Sequence, residues 1–140
     1  MTGAAAALTV FSDIDGTKRH ETKQCTFRRI GSGFEVRYGE NGGETAVRFA
    51  ERGLADGMRA EIERSGEYSG LMVIETGRTT RCCMHTPQGR LDIIVFGRAV
   101  SFRITDSGAE AELCYETSLE GSGSASLIDY RFIVKTTDIE

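Results

Sequence analysis

Along most of this 140-residue chain, polar and apolar side chains alternate one by one, and that period of two is the signature of half-buried β-strands. Phe34, Val36 and Tyr38 oppose Glu35 and Arg37, and Met58, Ala60 and Ile62 oppose Arg59, Glu61 and Glu63. Val100, Phe102 and Ile104 oppose Ser101, Arg103 and Thr105. Ala109, Ala111, Leu113 and Tyr115 alternate with Glu110, Glu112, Cys114 and Glu116, and Ile128 to Val134 repeats the pattern. Turn residues punctuate these runs at Asp15-Gly16, Gly31-Ser32-Gly33, Asn41-Gly42-Gly43, Asp56-Gly57, Ser65-Gly66, Gly77, Pro87-Gln88-Gly89, Asp106-Ser107-Gly108 and Gly121-Ser122-Gly123. Such short, regular spacing predicts consecutive antiparallel hairpins. The alanine-rich stretch around Arg48 to Arg59 leaves room for one short helical turn, while Gly53 and Gly57 argue against a long helix.

Many short strands with uniformly short connections predict an all-β fold in a single domain over residues 1–140. The expected architecture is an up-and-down antiparallel β-barrel of eight to ten strands, since closure removes the edges an open sheet would expose. A barrel of that size is filled by side chains or holds one small ligand.

Charge and composition exclude several functions. The net charge of -4 argues against a strongly basic nucleic-acid domain. No run reaches the roughly 18 apolar residues of a membrane-spanning helix, and the apolar Gly3 to Phe11 reads as a first strand. The expectation is therefore a partner set without nucleic acid or membrane. The four cysteines, with no export signal, point to reduced thiols and a cytoplasmic protein. Cys82 and Cys83 are adjacent, so on a strand they face opposite ways and cannot share one metal; no metal or cofactor is expected. His20 and His85 stand outside any nucleophile motif, and no catalytic residue is assigned.

Two charge groups read either as patches or as solvated barrel exterior. Lys18, Arg19, Lys23, Arg28 and Arg29 make the second strand basic, and Glu110, Glu112 and Glu116 form an acidic row. More informative are polar residues in phase with an apolar face. Two steps beyond Tyr38 lies Glu40, and two beyond Ile62 lies Arg64. Charges directed inward must pair with each other or bind something charged. One reading is a structural Glu40–Arg64 contact sealing a barrel end. The other is a site in which Arg64 and Tyr38 hold the anionic end of a small, mainly apolar ligand.

Tyr38-Gly39-Glu40, Arg64-Ser65-Gly66, Met72, Thr86-Pro87-Gln88-Gly89-Arg90-Leu91, Gly108, Leu113-Cys114-Tyr115 and the alternating Tyr130 to Val134 follow one another in that order. In this order and spacing, from about Asp13 to Lys135, the chain resembles the bacterial YwiB-like family, a domain of unknown function. The resemblance implies a lipocalin-like (calycin) barrel and, by analogy of fold, small-molecule binding. Met84 stands where the family often has Tyr, and Gln88 where it often has an aromatic residue. The expected ligand site is Tyr38, Glu40, Arg64, Met72, Met84, Thr86 and Tyr115. Two alternatives stand beside it: a packed barrel working through its exterior or an oligomer interface, and an enzyme using Glu40 as acid/base beside Arg64.

Overall fold

The computed structural model describes residues 3–40, 42–51 and 58–137. Its strands are β1 (Ala4–Ile14), β2 (Thr17–Ile30), β3 (Gly33–Glu40), β4 (Gly43–Glu51), β5 (Met58–Gly66), β6 (Gly70–Glu75), β7 (Thr79–Thr86), β8 (Gly89–Thr105), β9 (Gly108–Leu119) and β10 (Ser126–Thr136). Consecutive strands pair antiparallel in one ten-stranded sheet, except that β6 and β7 stand at its two ends, and β1 pairs with β10 to join the first and last strands. The result is the expected up-and-down barrel, nearly closed. No described residue is helical: Arg48–Glu51 belong to β4 and Met58–Arg59 to β5. The helical turn expected there is overridden at both flanks by strand pairing, which runs from Glu51↔Met58 to Gly43↔Gly66. Asp56-Gly57 lies outside the described residues.

The remaining seam, between β6 and β7, is tied at its two ends. Ser69 and His85 exchange backbone hydrogen bonds of 3.0 and 2.8 Å. At the other end Gly77 donates to the Gly97 carbonyl and Gly97 to that of Arg78, both at 2.9 Å. Between them the Thr80 hydroxyl donates to the Val73 carbonyl at 2.6 Å. Gly97 is required here because any side chain would run into the Glu75 carbonyl of the crossing strand. A bulge between Gly97 and Ala99 bends the seventeen-residue β8, so that one strand serves both the seam and the β9 ladder.

The two ends of the barrel differ in chemistry. At the end where β2 turns into β3 and β4 into β5, the interior is aromatic. Phe34 stacks on Phe49 at 5.2 Å, Phe102 meets Phe34 edge-on at 6.0 Å, and Phe132 meets Phe49 at 5.8 Å. Leu8, Val36, Val47, Ile74, Leu113 and Val134 close around them without solvent contact. That end is a packed core.

Outside β3 to β6, charges form a network rather than a free patch. Glu35 points outward yet is only 3% exposed, because Arg28, Arg37 and Arg48 cover it and bond its carboxylate at 3.1, 3.1 and 3.0 Å. Arg48 continues to Glu61 at 3.0 Å and Glu63 at 2.7 Å. Burial alone would raise the Glu35 pKa, but the hydrogen bonds from Arg48 and Arg37 and the surrounding positive charge outweigh it and hold the carboxyl below its ordinary range. In the acidic row, Glu110 pairs with Arg103 and Glu116 with Arg98, so two of its members balance outward-facing arginines.

Candidate functional site

At the opposite end, where β3 turns into β4, β5 into β6 and β7 into β8, the inward row changes from apolar to polar. Tyr38 and Glu40 continue the Phe34–Val36 row of β3, and Arg64 continues the Ala60–Ile62 row of β5. Tyr115 does the same in β9, and Tyr130 extends the Phe132–Val134 row of β10 towards this end. Short hairpins and alternation thus deliver these side chains to one mouth.

The mouth opens sideways. Thr26–Ile30 of β2 pair with Gly33–Arg37 of β3, and the ladder stops there. Lys23 and Glu40 would face each other had it continued, and their side chains still meet at 3.6 Å. Lys23 also lies over the Tyr38 ring at 4.5 Å and 3.4 Å from Glu21. The gap is a slot of about 530 Å³, with Arg19, Glu21 and Lys23 on one wall and Tyr38 and Glu40 on the other. Arg64 and Tyr130 stand within it, and Val47, Ile62 and Phe132 supply apolar floor. A second cleft of about 580 Å³ shares Glu40 and Arg64 and extends to Thr45, Tyr68, Met84, Thr86 and Leu91. Arg64 therefore lies between two chambers.

The Glu40–Arg64 contact weighed from the sequence is not formed: Glu40 pairs with Lys23 instead. Lys23 sits in register opposite Glu40, and its flexible ammonium satisfies the carboxylate from the neighbouring strand. Among the described residues, the half-buried Arg64 guanidinium has no ion pair and no hydrogen bond. Its charge is felt by Tyr38, Tyr115 and Tyr130. Burial pushes all three phenols well above their ordinary range, so they remain neutral hydroxyls. The Tyr115 and Tyr130 rings lie 6.3 Å apart, so the buried Tyr115 packs behind the Tyr130 that lines the slot. An unpaired guanidinium beside neutral hydroxyl donors is a chemical match for an oxyanion.

Tyr38, Glu40, Arg64, Met84 and Thr86 line these chambers, whereas Met72 is packed into the wall and Tyr115 acts from behind Tyr130. The Thr86 hydroxyl is engaged in its own turn, donating to the Gly89 carbonyl at 2.7 Å and accepting from Gln88 N–H at 3.2 Å. The ligand site expected from the sequence omits Arg19, Glu21, Lys23 and Tyr130, although Arg19 and Lys23 belong to the basic group weighed as a patch. The same phase rule would have found the first three, because Cys25 and Phe27 are the buried members of their row. The basic second strand consequently splits. Arg19 and Lys23 line the slot, while Lys18 pairs outside with Asp13 and Arg28 with Glu35. Cys82 is buried and Cys83 exposed, and burial pushes the Cys25 thiol up to about 11. Among the described residues no three His, Cys, Asp or Glu side chains gather as a metal site, and no helix is long and apolar enough to cross a membrane.

Comparison with known proteins places this geometry in context. Residues 9–131 match the family described as a domain of unknown function (DUF1934). The fold is similar to the crystal structure of the ywiB protein from Bacillus subtilis, with a TM-score of 0.77 and 15% sequence identity over 96% of this chain and 93% of that one. No curated protein matches.

Proposed function

This chain belongs to the DUF1934 family, a domain of unknown function, and we propose that it is a binding barrel that takes a small ligand by its anionic end in the polar mouth. The observation that carries this reading is Arg64, an inward guanidinium with no ion-pair partner among the described residues, set between two chambers. A charge so placed is costly to leave uncompensated, and a ligand carboxylate or phosphate would compensate it. Tyr130 would donate a second hydrogen bond, and Lys23 would supply a second positive charge at the slot wall. Val47, Ile62 and Phe132 in one chamber, and Met84 and Leu91 in the other, suit a short apolar body. The aromatic end is already filled, so the ligand would occupy the mouth and not the full length of the barrel. Cytoplasmic binding without nucleic acid or membrane fits the same reading.

Two measurements test it. Native mass spectrometry of gently purified protein would reveal a co-purifying small molecule. Thermal unfolding with hexanoate or inorganic phosphate would show a rise in Tm that Arg64→Gln abolishes, because a ligand that binds only the folded state stabilises it by mass action. Absence of any shift with either anion, together with an empty mass spectrum, would refute the proposal and leave the packed-barrel reading.

A further inference from the structure

The wall of the slot formed by β2 has a property that a small ligand would not use. β2 runs from Thr17 to Ile30, and β1 pairs with it from Thr17 to Phe27. On its other side only Thr26–Ile30 are paired, so among the described residues Thr17–Cys25 form a strand with one neighbour. In an antiparallel strand, successive residues direct their N–H and C=O groups to alternate sides, so every second residue here offers both groups to the slot. The slot chemistry is asymmetric as well. Arg19, Lys23 and Arg64 face Glu21 and Glu40 in it, a surplus of one positive charge.

We propose that the occupant is the C-terminal end of an extended peptide. Its backbone adds to the Thr17–Cys25 edge as a strand parallel to β2, and its terminal carboxylate, arriving at the Cys25 end that lies level with Tyr38, Thr45 and Arg64, rests on Arg64. The proposal depends on the reading of Arg64 as an anion anchor and goes further by naming what carries the anion. A peptide terminus matches the three observations together: one carboxylate answers the surplus positive charge, the free edge receives main-chain hydrogen bonds, and the Tyr130 hydroxyl, which lines the same slot as Arg64, can donate to a carboxylate oxygen. A compact acid would satisfy Arg64 and leave the edge unpaired. Lys18, Arg19 and Lys23 also set like charges against a second copy pairing through the same edge.

The experiment is fluorescence anisotropy with a fluorescein-labelled mixture of random hexapeptides bearing free C-terminal carboxylates. The same mixture is measured amidated at the C-terminus and, separately, N-methylated at alternate residues. Binding of the free acids is expected, with a loss of about tenfold or more on amidation, on N-methylation, or with Arg64→Gln. The amidated and N-methylated arms need no protein variant, so they read the contact even if Arg64→Gln folds poorly. Equal binding of acid and amide, indifference to N-methylation, or no binding of the acids overturns the proposal. So does a dimer, seen by sedimentation, in which the edge is already covered. Loss of peptide binding alongside an Arg64-dependent Tm shift with hexanoate or phosphate would remove the peptide and leave the anion site. Failure of both would remove both.

Discussion

Lys23 and Glu40 meet at 3.6 Å across the gap between β2 and β3, at a register where the two backbones no longer bond. The Lys23 ammonium, seated over Tyr38, joins the strands by charge where the ladder has ended. It also engages Glu40, the carboxylate that lines both chambers with Arg64, and Arg64 has no ion pair among the described residues.

Removing that bridge should cost little stability and change the slot. Both side chains retain solvent contact, so Lys23→Met is expected to lower stability by about 1 kcal/mol or less, with the difference shrinking as salt rises. Hydrogen exchange of amides in 17–25 and 38–40 should accelerate relative to the wild type. Unchanged exchange there would mean that the strands are held together by something else.

Glu35 should behave as a stability determinant with a defined pH signature. Its folded pKa is depressed, so its contribution is present above the ordinary carboxylate range and is lost as pH falls through the lower folded value. Glu35→Gln should cost about 1.5–3 kcal/mol at pH 7, as expected for hydrogen bonds to a charged group. The gap between variant and wild type should close in acid. Urea unfolding at pH 7 and at pH 3 measures both quantities.

The three mouth tyrosines give the opposite dependence. Their folded pKa values are raised, so folding holds them neutral while the unfolded chain ionises, and stability should fall as pH rises above about 10. Absorbance titration at 295 nm should reveal phenols that ionise only with unfolding. Normal, reversible titration of every tyrosine would contradict the buried hydroxyl arrangement.

Gly97→Ala tests the seam. A methyl group would meet the Glu75 carbonyl, and relief requires β6 and β8 to separate. An overpacking cost of about 1–3 kcal/mol is expected, with faster exchange at Gly77 and Gly97. Phe49→Ala tests the filled end, where loss of the contacts to Phe34 and Phe132 should cost about 3–5 kcal/mol in a chemical melt.

Much of the fold was legible because strand geometry is written locally. Phe34, Val36 and Tyr38, or Ala109, Ala111 and Leu113, state which face is buried without reference to any other strand. Carrying that phase forward also located Tyr38, Glu40 and Arg64 at one mouth. Arg19 and Lys23 were read only as part of one basic strand and Glu21 was not read at all; the division of that strand between slot and exterior depends on where Cys25 and Phe27 sit. The partner of Glu40 was illegible for a related reason. A charged tip can reach several strands, and only the actual spacing of β2, β3 and β5 selects among them.

By itself, then, the amino-acid order determined an all-β meander, the inward faces of its strands and the glycines at its turns, because a period of two and the torsional freedom of glycine are properties of neighbouring residues. The tertiary structure alone decided that β2 is free of β3 before Thr26, that Lys23 claims Glu40, and that Arg64 stands between two chambers without an ion pair among the described residues. Those outcomes depend on how a curved sheet spaces strands far apart in sequence, and no local pattern encodes that distance.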